Sequence, residues 1–240
     1  MAETTGIEWA HATWNPWMGC TMVSLGCTNC YMFREMKMYG RDPSTVVRTS
    51  DATFYAPLKW VKRGNVESGA RVFTCSWGDW FHEDADLWRD DAWGVIKATP
   101  QYEYLILTKR PERIESSLPG DWGSGYDNVW LLVSSENQRM FDLRWSILKS
   151  IPAKVRGISA EPLLGEIDIR EEHPDWIITG GESDRKNPRP TDLSWVRRLR
   201  DVCVERGIAF FHKQHGGRRK VNGAWGGREL DGVEWNQFPR

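Results

Sequence analysis

Val129 to Asn137 reads "VWLLVSSEN", an apolar run of strand length that stops in hydroxyl, carboxylate and amide side chains, and "QRMFDLRWSILKS" (138–150) follows it as a helix. The same succession repeats along the chain. Strand-length apolar runs stand at "RVFTCS" (71–76), "YLILT" (104–108), "VRGISA" (155–160), "DWIITGG" (175–181) and "AFFHK" (209–213), with "GIEWAHATW" (6–14) an earlier candidate. They are continuous rather than alternating, as parallel strands covered on both faces require. Helical segments lie between them, among them "DADLWRDDAWGVIKA" (84–98) and "TDLSWVRRLRDVCVERG" (191–207), the latter with a Thr start and a Gly stop. Repeated β-then-α predicts an α/β fold, a complete or partial (β/α) barrel of TIM type, with a doubly wound open sheet as the alternative.

A barrel would send the C-terminal ends of its strands to one face. Those ends are polar here: "SWGD" (76–79), "TKRPE" (108–112), "SSEN" (134–137), "SAEP" (159–162), "TGGES" (179–183) and "HKQHGG" (212–217). Each alone is ordinary turn chemistry, but six in succession predict a shared site.

The chain of 240 residues, 40% of them hydrophobic, has the means to bury one large core, so one domain spanning 1–240 is expected, with an irregular, Gly-rich cap over about 214–240. Thirty-two basic against thirty-three acidic residues leave a net charge of −1, which excludes a global field drawing the protein to nucleic acid or membrane. The start, "MAETTGIEWAHATWNPW", lacks a basic segment followed by an apolar run, and nowhere do about 18 apolar residues follow one another, so a cytoplasmic, membrane-free protein is expected. Fifteen tryptophans are expected mostly to pack, since indoles supply large buried area in a polar chain.

Five cysteines in a reducing compartment do not suggest a disulfide framework. Three of them, Cys20, Cys27 and Cys30, crowd into "GCTMVSLGCTNCY" (19–31) after the first candidate strand and before a helix starting near Tyr31. Three thiolates are one short of the four that close a structural zinc site or fully ligate a cubane iron–sulfur cluster. In a 4Fe-4S cluster they would leave one iron open, where S-adenosylmethionine can chelate and be cleaved reductively to a 5′-deoxyadenosyl radical. In a zinc site His11, His82, His212 or His215 would be recruited as the fourth ligand. Cys75 and Cys203 fall in a strand and a helix and are expected to pack as small buried hydrophobes.

The chain resembles the radical S-adenosylmethionine superfamily, and more closely a group of small, often phage-encoded three-cysteine proteins placed near it. The resemblance rests on "TWNPWMGCTMVSLGCTNCY", "FTCSWGDWF", "LTKRPER", "SSEN", "SAEPLLG", "ITGGES" and "FFHKQHG" in succession. It departs from the superfamily's usual spacing, with six residues rather than three between the first two cysteines, Asn29 where an aromatic is usual before the third, and a late "GGE". It implies an enzyme with a 4Fe-4S cluster, S-adenosylmethionine and a reducing electron donor. By position, Ser76, Gly78 and Asp79 would meet the methionyl end of the cofactor, and Ser134, Glu136 and Asn137 its ribose or carboxylate. Glu161 and Gly180, Gly181 and Glu182 would complete the pocket, the glycines by letting backbone amides approach a ligand.

Lys109, Arg110, Lys213 and Gln214, with Arg218, Arg219 and Lys220 further out, are candidates to bind a nucleotide or a base in nucleic acid. Trp77, Trp80, Trp122 and Trp225 are candidates to stack on bases. Two other classes stay open: a zinc-stabilised nucleic-acid-binding module, and a cluster-free barrel hydrolase using Asp79, Glu136, Glu161 and Glu182 as acid–base groups.

Overall fold

The computed structural model of the chain describes residues 3–170, 172–183 and 186–239. In chain order the strands are β1 (Ala12–Trp14), β2 (Trp17–Met18), β3 (Val47–Arg48), β4 (Arg71–Thr74), β5 (Glu103–Thr108), β6 (Val129–Ser134), β7 (Val155–Ala160), β8 (Trp176–Gly180), β9 (Ala209–Gln214), β10 (Lys220–Val221) and β11 (Ala224–Trp225). The helices are α1 (Tyr31–Met38), α2 (Asp51–Phe54), α3 (Ala56–Arg63), α4 (Asp86–Lys97), α5 (Gln138–Leu148) and α6 (Leu193–Arg206).

The apolar runs form one seven-stranded sheet in the order β1-β4-β5-β6-β7-β8-β9. The pairs β1/β4, β4/β5, β7/β8 and β8/β9 are parallel. The architecture is thus mixed α/β. Its strand order follows the sequence without the reversal that defines a doubly wound sheet, so that alternative does not describe this chain. No helix among the described residues is long and apolar enough to cross a membrane.

Two compact units make up the chain, and neither is one continuous stretch of sequence: Met1–Val23 with Tyr31–Leu132 and Ile151–Lys154, and Ser24–Cys30 with Val133–Ser150 and Val155–Arg240. In the first, tryptophans pack on one another. Trp17 lies 5.0 Å from Trp80, Trp80 4.9 Å from Trp93, and Trp93 5.5 Å from Trp122, in tilted or edge-on contacts that suit the ring quadrupole. Three of their indole N–H groups find carbonyls, Trp17 donating to Asp79 O, Trp93 to Ser117 O and Trp122 to Pro152 O, while that of Trp80 has no partner. Trp80 and Trp122, candidates for base stacking from the sequence, are buried in this aromatic chain and present no face to a ligand.

In the second unit Asn137 caps α5, its Oδ1 accepting from the Met140 N–H at 3.1 Å, and α5 buries Phe141, Arg144, Trp145 and Leu148. The start of α6 falls one residue later than "TDLSW" suggests. Asp192 caps it by accepting from the Ser194 N–H at 2.8 Å, while the Thr191 hydroxyl donates to Leu163 O. Gly207 ends α6 in the left-handed conformation (φ 69°), as expected. The C-terminal region is less irregular than expected. Asn222 and Gly223, both at positive φ, turn β10 back onto β11 as a two-residue hairpin, the conformation Asn-Gly favours. The tail then runs antiparallel along β9, with the His212 N–H donating to Trp235 O and the Gln237 N–H to Phe210 O. This pairing occupies a strand edge that would otherwise offer a template for aggregation.

Candidate functional site

In the first unit the residue before Cys20 sets where the loop turns. Gly19 has φ +106°, and a Cβ there would lie 2.3 Å from Thr45 O, so only glycine fits. Its N–H donates to Trp77 O and that of Cys20 to Pro43 O, which moors the cysteine beside the β4 exit. At that exit Cys75 adopts φ 57°, a strained conformation for a residue with a Cβ. Burial, then the nearby Asp79 charge, pushes its thiol well above the ordinary range, in keeping with the packing role expected of it.

Asp79 is 5% exposed and its carboxylate is saturated. Oδ1 accepts from the Phe81 N–H (3.0 Å) and the Thr108 hydroxyl (2.7 Å), and Oδ2 from the Lys109 N–H (2.9 Å) and Arg110 Nη1 (3.3 Å). Arg110, 3% exposed, also donates through Nη1 to Cys20 Sγ (3.5 Å) and through Nη2 to Thr21 O (3.0 Å) and Oγ1 (2.6 Å). Burial works against its charge, but Asp79 and the Cys20 sulfur outweigh burial and raise its pKa. Ser76 and the Trp77 N–H are held by Asn15, and the Ser76 carbonyl accepts from the Tyr31 hydroxyl. Gly78 forms a bridge with Gly19.

The second unit carries Cys27 and Cys30. Cys27 ends a 3-10 turn (Leu25–Cys27), in which the Gly26 N–H donates to Glu136 Oε1 at 3.3 Å. Glu136, 1% exposed, is paired through Oε2 with Arg144 Nη1 at 2.8 Å, and the same Nη1 donates to Ser134 O. A second carboxylate does similar work. Glu182 accepts from Asn29 Nδ2 (2.8 Å), the Arg189 N–H (2.9 Å) and the Arg189 guanidinium, which also donates to Leu25 O (2.8 Å). Burial alone would raise the Glu182 pKa, yet the Arg189 and Asn29 hydrogen bonds leave it lowered.

Glu161 and Lys213 pair at 2.9 Å beside Gly180. Lys213 falls at a register shift, since Thr179 pairs with His212 but Gly180 with Gln214, and such a bulge re-aims a side chain. Gln214 donates to Gly181 O. The structure thus gathers Asp79 with Lys109 and Arg110, Glu136 with Ser134, and Glu161 with Lys213, Gly180 and Gln214. Asn137 serves as a helix cap. Thr21, Asn15, Arg144 and Arg189 went unnoticed in the sequence, where nothing local marks their distant partners.

A family model described as a protein of unknown function, DUF5131, matches residues 4–239. The chain belongs to the DUF5131 family. No curated protein and no solved structure matches it.

In this DUF5131 protein none of the five cysteines is in a disulfide. Three of them, Cys20, Cys27 and Cys30, are of the side-chain type that ligates iron–sulfur clusters, and a guanidinium donates to the first. Among the described residues no three His, Cys, Asp or Glu side chains are grouped to hold a metal ion. Several histidine ring nitrogens are engaged in hydrogen bonds, while the buried His212 Nε2 has no partner. His11 Nδ1 accepts from the Arg71 N–H, and desolvation, then Arg71, lowers its pKa. His82 Nδ1 accepts from the Asp84 N–H, which leaves Nε2 to donate to Thr21 Oγ1; desolvation, then Arg110, lowers its pKa too. His215 faces the Gly226 and Glu229 carbonyls, and His212 Nδ1 the Thr179 hydroxyl.

Proposed function

We propose that this DUF5131 protein is a radical S-adenosylmethionine enzyme on a partial β/α barrel of TIM type, acting on a nucleotide or a base in nucleic acid. The observation that carries the reading is the presence of three cysteines outside any disulfide, Cys20, Cys27 and Cys30, in the stretch after the first strand of a sequentially ordered sheet. The strand order supports the barrel, and the tail along β9 supports its being partial.

Cys20, Cys27 and Cys30 hold a 4Fe-4S cluster in this reading. With S-adenosylmethionine and one electron from a cellular reductant, that cluster would supply a 5′-deoxyadenosyl radical for hydrogen abstraction. The chain's own residues position and shield. Glu136 and Glu182, tied to Arg144 and Arg189, fix the backbone around Cys27 and Cys30. Gly78, Gly180 and Gly181 give the cofactor close access to main chain, with Ser76, Ser134, Asn137 and Glu161 at the neighbouring strand exits. Lys109 and Lys213 supply positive charge toward a substrate phosphate.

The test is anaerobic reconstitution with iron and sulfide, followed by reductant and S-adenosylmethionine. Formation of 5′-deoxyadenosine, lost in Cys27→Ala, is the expected result. Stoichiometric zinc with no iron uptake, or full activity of a triple cysteine variant on any substrate found, overturns it.

A further inference from the structure

Within the second unit, the segment from Lys213 to Arg228 holds five Lys and Arg residues and no Asp or Glu, on a chain whose net charge is −1. Two of the five are engaged in the fold: Lys213 pairs with Glu161, and Arg228 lies over the Phe211 ring with Nε 3.7 Å from Glu234 Oε2. The other three, Arg218, Arg219 and Lys220, are exposed and form no ion pair among the described residues; Arg218 donates to the neutral Asn187 Oδ1. Elsewhere on this unit exposed cations such as Lys149 and Arg198 meet carboxylates, those of Glu172 and Glu166. Three adjacent cations without counter-ions repel one another, and a polyanion laid across them relieves that repulsion.

The support beneath them is well tied. Lys220 and Trp225 are register partners across the β10/β11 hairpin, with the Lys220 Nζ 5.7 Å from the indole centroid, a cation–π contact that holds the side chain in place. At the base of the hairpin the Gly216 N–H donates to Trp225 O and the His215 N–H to Gly227 O, which fastens it to the end of β9. That end in turn meets the β8 exit, where the Gly181 N–H donates to Gln214 O and the Gly217 N–H to Glu182 O. A ligand lying on the hairpin therefore borders the Gly180–Gly181 exit.

We infer that the β10/β11 hairpin docks the sugar–phosphate backbone of a nucleic acid, so that the substrate is a polymer rather than a free nucleotide. The inference rests on the substrate half of the proposed function and needs no cluster. One phosphate cannot satisfy three cations on successive residues, whereas a chain of phosphates offers each its own partner. Every phosphate so neutralised releases condensed counterions, and the affinity must then fall with salt in proportion to the number of contacts.

Fluorescence anisotropy on the full chain, before any iron is added, tests this with three fluorescein-labelled probes: a single strand of DNA of about 20 nucleotides, RNA of the same sequence, and the DNA duplex. Wild type should bind at least one of them at about 50 mM KCl. The combined variant Arg218→Ala, Arg219→Ala, Lys220→Ala should bind it at least about tenfold more weakly, and its plot of log affinity against log salt should be shallower by about 2 for a single strand or about 3 for the duplex. Adenosine monophosphate should displace the probe far less effectively than unlabelled strand. Absence of binding to all three probes overturns the inference, as do wild-type affinity and salt slope in the combined variant, adenosine monophosphate competing as well as strand, or capture of phosphatidylserine vesicles with none of the three probes bound. Should the combined variant not fold, Lys220→Ala alone with an unchanged salt slope overturns it equally. A protein that takes up no iron or forms no 5′-deoxyadenosine strikes the radical reading and leaves this result standing; one that is active on a free nucleotide and binds none of the probes does the reverse.

Discussion

Glu136 and Arg144 illustrate at the scale of single residues why charge is buried in this protein. Neither has water to solvate it, and each is satisfied by the other and by backbone: Glu136 by the Gly26 N–H, Arg144 by Ser134 O. Removing one partner strips the other of its buried ion pair, which costs about 3–5 kcal/mol in comparable sites. Arg144→Leu should therefore lower unfolding free energy in urea by that amount. Glu136→Gln should cost less, because an amide oxygen can still accept from the Gly26 N–H and Arg144 keeps its bond to Ser134 O. Equal, sub-kilocalorie effects of both would mean that the pair contributes little and that the 3-10 turn before Cys27 is held by other contacts.

Strands and turns were the most legible features of the sequence, and the glycines among them make the sharpest claims. The runs "YLILT", "VWLLVSS", "VRGISA" and "AFFHK" became β5, β6, β7 and β9 with boundaries displaced by a residue or so, because continuous burial leaves an unmistakable apolar signature. Between Trp17 and Arg63 the helix starting near Tyr31 was legible and the short elements around it were not. Of these, β2, β3 and α2 are two to four residues long, too short to show a periodicity. The Asn222-Gly223 hairpin carried a strong turn signal that a Gly-rich composition obscured. At the site, residue types were readable but pairings were not: Asn29 meets Glu182 and Arg189 meets Leu25 across more than a hundred positions. Even so, "TGGES" marked a place where main chain approaches closely. A Cβ on Gly181 would lie 1.9 Å from His215 O, a backbone atom with nowhere to go, whereas one on Gly180 would lie 2.7 Å from Glu161 Oε1, at the end of a side chain that can swing. Gly180→Ala should cost about 1–3 kcal/mol in chemical denaturation and break the Glu161–Lys213 pair. Gly181→Ala should exceed it and yield little folded protein by circular dichroism. The reverse ranking would contradict the placement of the β8 exit against residues 215–216.

For the molecule as a whole, the acid limb of stability has an identifiable contributor besides carboxylates. His212 is fully buried on β9, and burial, then His215 and Arg228, lowers its pKa to about 3. An unfolded chain protonates this imidazole near pH 6.5, whereas the folded chain keeps it neutral until about pH 3. Between those values the unfolded state binds more protons, so stability rises with pH there. His212's contribution is complete above about pH 6.5 and is lost as pH falls toward 3, with a slope of at most about 1.4 kcal/mol per pH unit. Replacing it with a residue that does not titrate removes this slope whatever the substitution costs at neutral pH. Whatever the stability of His212→Asn at pH 7.5, its unfolding free energy should decline less than that of wild type between pH 6.5 and pH 4. The remaining decline belongs to salt-bridged carboxylates such as Glu182, whose lowered pKa makes its stabilisation present above its unfolded value and lost as acid protonates it. Urea titrations of both proteins across that range decide the matter: parallel curves would show that His212 is charged, or free to become so, inside the folded protein.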